Sequence, residues 1–170
     1  NQEIAEKALY LTTQAKDDPI QYIHQEIGYN FRLTNIQAAL GVAQLEQLPD
    51  FINYKRDIYK NYMNKIKNID GLSIINTPSY AINNHWLTLL QIESKVYGEN
   101  REKLMERLEK NGIQTRPVWT LNHLQKPYKD CQSYKIETGP ELIKNSLCLP
   151  SSVNLSKSDI NRICEALYNG

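Results

Sequence analysis

The sequence predicts an α/β fold of the α+β kind, with long N-terminal helices followed by a small mixed sheet with helices. Three observations predict it. Apolar residues recur at helical spacing from the N-terminus to about Lys67, the apolar runs beyond Gly71 shorten to strand length, and those runs alternate with segments that carry helix caps. At 170 residues, with 41% apolar and 23% charged residues, the chain is long enough for a sizeable core and has an ordinary globular balance.

In order along the chain, Ile4, Ala5, Ala8, Leu9 and Thr12 fall on one helical face, so a short amphipathic helix is expected over Asn1 to Thr13. Gln14 to Ile27 loses periodicity around the Asp17-Asp18-Pro19 turn signal, which predicts a loop. Thr34 followed three residues later by Gln37 forms a capping box, so the next helix begins at Asn35. Ala38, Ala39, Gly41, Val42 and Ala43 give that helix a face of small side chains suited to close packing. Pro49 lacks a backbone donor and clashes with the preceding turn, which predicts a kink or break. Helical spacing resumes with Phe51, Ile52, Tyr59, Tyr62, Met63 and Ile66, and Lys55, Arg56, Lys60 and Lys65 occupy a complementary, solvated face.

Strands are expected at Leu72 to Asn76 and Trp86 to Ile92. Asn100 caps a helix that Asn111-Gly112 ends. Ile113 to Trp119 returns to strand, Gly139-Pro140 opens a short helix, Leu147 to Leu149 is the last strand, and Ser156 with Asp159 caps the closing helix. Residues 1–70 thus read as a helical segment and residues 71–170 as a small α/β subdomain.

Composition excludes several function classes. Twenty basic and 19 acidic residues, a net charge of +1, leave no field for nucleic acid or an anionic membrane. Neither a membrane-length apolar run nor a secretory signal is visible, so a cytoplasmic location is expected. Cys131, Cys148 and Cys164 are odd in number and lack ligand spacing, so they read as free thiols with Cys148 and Cys164 in the core, and no metal site is expected.

The most informative stretch is Gly28 to Gly41. Gly28 permits a tight turn, and Asn30 and Arg32 then stand on a short segment beside a helix N-terminus, where an amide and a planar guanidinium suit an anion. A second stretch, Arg116 to Tyr128, joins a strand end to an aromatic, His123 and a Pro-Tyr turn. Alternation there puts Gln114, Arg116 and Val118 on one face, with Arg116 toward a wet pocket, and lets Trp119 pack on the other.

The run His24 to Leu48, HxEIGYNFRLTNIQAALGVAQLEQL, resembles the DegT/DnrJ/StrS family of nucleotide-sugar aminotransferases, which are fold-type I enzymes that use pyridoxal phosphate (PLP). The segment around Arg116 and His123 is similar to the family's C-terminal TRP…HLQ-P-Y run, and its Trp-Thr-Leu-Asn departure most resembles the legionaminic-acid-pathway type. The resemblance implies the C-terminal half of such an enzyme, a homodimer in which Asn30 reaches the PLP phosphate held by the other subunit. It places Arg32 near the same anionic pocket, and counts Arg32, His24, Arg116 and His123 as the residues that bind the sugar nucleotide or the amino-acid donor, glutamate being expected. The same resemblance puts the PLP-holding lysine ahead of Asn1, and no lysine here lies in a turn suited to that role. The piece itself is therefore expected to be inactive and to retain no PLP. A non-catalytic dimerisation or regulatory module is the alternative.

Overall fold

The computed structural model describes residues 1–168, which divide into two compact units, residues 1–48 and the described residues from 49 onward. In the first, helix α1 (Gln2–Thr12) is capped by the Asn1 side chain, which accepts from the Glu3 N–H at 2.9 Å. The first half of helix α2 (Asn35–Ile66) follows a long loop. Only Ala15 is a buried apolar residue in this unit, and Ile4, Ile20, Ile27, Phe31, Leu33 and Ile36 are all exposed.

Helix α2 runs unbroken through Pro49. This corrects the expected break. The carbonyl four residues back belongs to Leu45, which is exposed, so water can take the place of the lost backbone donor. One missing bond is a small loss in a 32-residue helix whose second half is anchored by burial.

That second half belongs to the other unit, and its buried residues Ile58, Tyr62 and Ile66 recur every four positions, an apolar stripe at helical spacing. They join one core with residues of strands β1 (Leu72–Ile74), β2 (Thr88–Ile92) and β4 (Ser146–Leu149), helix α4 (Arg101–Lys110) and helix α6 (Lys157–Tyr168). The short helices α3 (Ser94–Tyr97) and α5 (Thr138–Lys144) lie between. Cys148 and Cys164 are buried, as expected, and burial pushes the Cys164 thiol up to about 11, which keeps it protonated and unreactive. Tyr62 is fully buried and its hydroxyl donates to the Pro150 carbonyl at 2.9 Å.

The sheet has the order β1-β2-β4-β3, with β3 at Arg116–Pro117, and every neighbouring pair is antiparallel. The expected mixed sheet is therefore corrected to an antiparallel one. Strands β2 and β3 do run the same way across the α3-α4 crossover, but β4 inserts between them and pairs antiparallel with both. Strand β3 is much shorter than the expected Ile113 to Trp119, because Pro117 has no N–H to extend the ladder. Central β4 is buried at all four positions, which is why its sequence reads Ser-Leu-Cys-Leu without alternation.

The caps act as the sequence predicts. Asn100 accepts from the Lys103 N–H at 3.0 Å, and Ser156 and Asp159 exchange bonds of 2.9 and 3.1 Å. Lys55 departs from the expected solvated face. It is half-buried, its Nζ donates to the carbonyls of Trp86 and Ser151, and burial pushes its ammonium down.

Two glycines with left-handed backbones separate conformational strain from contact. A Cβ on Gly71 (φ +78) would lie 2.4 Å from the Tyr97 nitrogen, whereas Gly98 (φ +89) faces open space. Gly98→Ala is expected to cost about 1–2 kcal/mol from the backbone alone. Gly71→Ala should cost at least about 1 kcal/mol more, from overpacking. Urea denaturation of both variants gives the comparison; equal losses would show that the Tyr97 contact carries no energy.

Candidate functional site

The first unit builds a polar turn out of backbone hydrogen bonds. At the end of α1, the Thr12 and Thr13 hydroxyls donate back to the Ala8 and Leu9 carbonyls, each at 2.7 Å, and close the helix. Gln14 and Ala15 then take left-handed backbones, φ +80 and +46, and swing the chain around. The Tyr29 N–H donates to the Leu11 carbonyl at 2.7 Å, the Phe31 N–H to Thr12 at 3.0 Å, and the Gln14 N–H to Tyr29 at 3.0 Å. A bridge between Thr13 and Asn30 lies in the middle of these bonds.

His24 acts on this turn from the loop. Its Nδ1 donates to the carbonyls of Gln14 at 2.9 Å and Ala15 at 3.1 Å, which leaves Nε2 for any partner outside the unit. The bonds hold the two left-handed residues in place. Asp17 helps by accepting from the Tyr10 hydroxyl and the Gln25 N–H, and Asp18 closes a turn by accepting from the N–H groups of Ile20 and Gln21.

Asn30 and Arg32 stand together on a cleft of about 330 Å³ whose other lining residues include Thr34 and Gln37. The Asn30 Oδ1 accepts from the Arg32 N–H at 3.3 Å, so its amide NH₂ is the end left for another partner. One Arg32 nitrogen donates to the Thr13 carbonyl at 3.2 Å and fixes the side chain, while the remaining guanidinium donors stay available. The capping box is formed: the Gln37 N–H donates to Thr34 Oγ1 at 3.3 Å and the Thr34 N–H to Gln37 Oε1 at 2.9 Å. An amide, a guanidinium and the positive end of a long helix thus meet on a surface that no carboxylate lines. That donor set fits a phosphate.

The second unit keeps its two sequence-predicted residues apart. Arg116 borders a cleft with Glu102, Glu106 and Glu109 of α4. His123 is half-buried in another cleft of about 590 Å³ that also includes Trp119, Tyr128 and Tyr134. The short β3 explains the separation, since the chain leaves the sheet at Pro117. Trp119, expected to pack, is 65% exposed and meets Trp86, itself 61% exposed, at 5.6 Å between ring centroids. Trp86, expected to begin a strand, instead lies just ahead of β2 and meets Trp119, and Lys55, expected on a solvated face, donates to the Trp86 carbonyl. The available signal was the Asn83-Asn84 turn just ahead of Trp86, which holds its backbone.

The profile of the DegT/DnrJ/EryC1/StrS aminotransferase family matches residues 1–168. The chain belongs to this family. It is 36% identical over 176 residues to the putative pyridoxal phosphate-dependent aminotransferase EpsN of Bacillus subtilis (strain 168), covering 99% of this chain and 44% of that protein. It is also 36% identical over 148 residues to the GDP-perosamine synthase of Escherichia coli O157:H7, covering 86% of this chain and 39% of that one. The chain therefore spans less than half the length of these relatives. The aminotransferase TlmJ from Streptoalloteichus hindustanus superposes with a TM-score of 0.78 at 22% identity, over 99% of this chain and 45% of its own. The structure of DesI in the presence of its TDP-sugar product gives 0.78 at 22%, over 99% and 43%. At that identity the superpositions establish the fold alone, shared over less than half of each of those two chains.

Gly28 is the residue on which the turn's shape rests. A Cβ there would lie 2.3 Å from the Ala15 nitrogen, closer than any packing allows, while one on Gly41 meets nothing within 4 Å. Gly28→Ala is expected to open residues 14–31, seen as faster amide exchange and protease cleavage in that segment, with the core of residues 49–168 unaffected. Gly41→Ala is the control and should leave both unchanged.

Proposed function

We propose that this chain is part of a PLP-dependent aminotransferase that moves an amino group from an amino acid, glutamate in our reading, to a keto-sugar nucleotide for amino-sugar or cell-surface glycan synthesis. One observation carries it: the Asn30 amide presents its NH₂ beside the Arg32 guanidinium at a capped helix N-terminus. Membership of the family and the perosamine synthases among its relatives support the substrate class.

In this proposal Asn30 and Arg32 hold the phosphate of PLP bound in the partner subunit of a homodimer. PLP, when bound, supplies the electron sink that amino-group transfer needs. The chain's own part is to bind and orient. Asn30 donates one neutral hydrogen bond, strengthened by the charge on its acceptor. Arg32 adds positive charge and a planar fork of donors that matches phosphate oxygens. His24 holds the turn through Nδ1 and offers Nε2 to the substrate, and His123 and Arg116 contact the nucleotide sugar or the amino donor from the second unit. The exposed face around Ala39, Gly41 and Val42 is where the second subunit packs in this account, since small side chains admit close approach. No described helix is long and apolar enough to cross a membrane, and we place the enzyme in the cytoplasm.

In the whole protein, Asn30→Ala should weaken PLP binding about tenfold to a hundredfold without unfolding, the loss of one charge-assisted bond. Asn30→Asp should weaken it more, because a carboxylate opposes a phosphate. Titrating PLP above and below the dimer dissociation constant tests both. Equal cofactor affinity for wild type and both variants in the dimeric regime would reduce Asn30 to a turn residue.

A further inference from the structure

The second unit exposes an aromatic pair that nothing above employs. Trp86 and Trp119 are the chain's only two tryptophans, and their rings meet at 5.6 Å with 33° between planes while each stays more than half exposed. Large exposed indoles that touch one another are costly to leave in water and mark a recognition surface.

The pair is held rather than loose. The Trp86 N–H donates to Asn84 Oδ1 at 3.0 Å, and its carbonyl accepts from Ser151 Oγ at 3.2 Å and from Lys55 Nζ at 3.2 Å. His85, just before it, has a left-handed backbone at φ +51 and stacks on Tyr59 at 4.0 Å between centroids, with the Tyr59 hydroxyl donating to Asn76 Oδ1. Strain of this kind persists only where the surroundings fix it. On the other side, Trp119 follows Arg116 and Pro117, which pair with Cys148 and Leu147 of the central strand.

Trp119 also forms one wall of the 590 Å³ cleft, whose other residues include Asn122, His123, Tyr128, Gln132 and Tyr134. Its chemistry is specific. Aromatic faces stack on a flat ring, the Asn and Gln amides offer both donors and acceptors to a ring edge, and no carboxylate lines the cleft to repel a phosphate.

We infer that Trp119, backed by Trp86, is the stacking platform for the nucleobase of the nucleotide-sugar substrate, with the Asn122 and Gln132 amides facing the base edge. The inference rests on the aminotransferase reading for the identity of the ligand. A pyranose ring also stacks on indole, so the experiment separates base from sugar.

Because the pair holds every tryptophan in the sequence, tryptophan emission of the full chain reports this site alone. UDP, GDP and dTDP are titrated against it, with pyrophosphate and glucose 1-phosphate as probes that carry phosphate, or phosphate and a sugar, but no base. At least one nucleoside diphosphate should give a saturable change in emission that the two controls do not. Trp119→Leu should weaken that nucleotide's binding, followed by calorimetry, about 5- to 150-fold, the fold-change of one lost base stack. Trp119→Phe should restore most of it, and PLP affinity of the whole protein should not move. The inference is overturned if no nucleotide gives a saturable change, if glucose 1-phosphate or pyrophosphate gives an equal one, or if Trp119→Leu binds like wild type. The aminotransferase reading fails separately, through PLP affinity at Asn30.

Discussion

The candidate anion site depends on one close approach, the seating of the Gly28 backbone against Ala15. No side chain larger than hydrogen fits at position 28, and Ala15 is the one buried apolar residue of the first 48. Everything that shapes the turn gathers around it: the left-handed Gln14 and Ala15, the His24 ring that binds both carbonyls, and the backbone bonds from Gln14, Tyr29 and Phe31. Asn30 gains its direction from this frame. Its side chain is steered by a single bond to the Arg32 N–H, and its backbone is fixed by its neighbours on both sides.

The two units are stabilised by different means. The second has an apolar core contributed by α2, α4, α6 and the sheet, and its half-buried cation, Lys55, is answered by two carbonyls. The first is stabilised by hydrogen bonds and caps, and it leaves a long series of apolar side chains in water. A unit built that way keeps its shape with little burial of its own and presents apolar surface outward. In the proposed homodimer that surface is covered by protein, and the small-residue face of α2 lies within it.

Local chemistry made much of this legible in the sequence. Each cap joins two residues three positions apart, so Thr34 with Gln37, Asn100 with Lys103 and Ser156 with Asp159 were readable and are found in place. The anion turn was readable for the same reason, since Gly28, Asn30, Arg32 and the helix start fall within ten residues. What stayed hidden depends on distant partners. The insertion of β4 between β2 and β3 makes the sheet antiparallel, yet nothing within β4 encodes its neighbours. Lys55 looked solvated because its carbonyl acceptors lie 31 and 96 residues away. Arg116 looked like a companion of His123, until Pro117 ended the strand and left them in different clefts.

The hydrogen bonds that shape the Asn30 turn all come from its own unit, so the turn stands before any cofactor or partner arrives. Residue-resolved amide hydrogen exchange on the unliganded chain tests it most directly, at Gln14, Tyr29 and Phe31, whose N–H groups donate to Tyr29, Leu11 and Thr12. These three amides should exchange far more slowly than the unbonded loop amides around them. Exchange at the rate of an unstructured peptide, with slowing only after PLP is added, would contradict it and make the turn a product of binding.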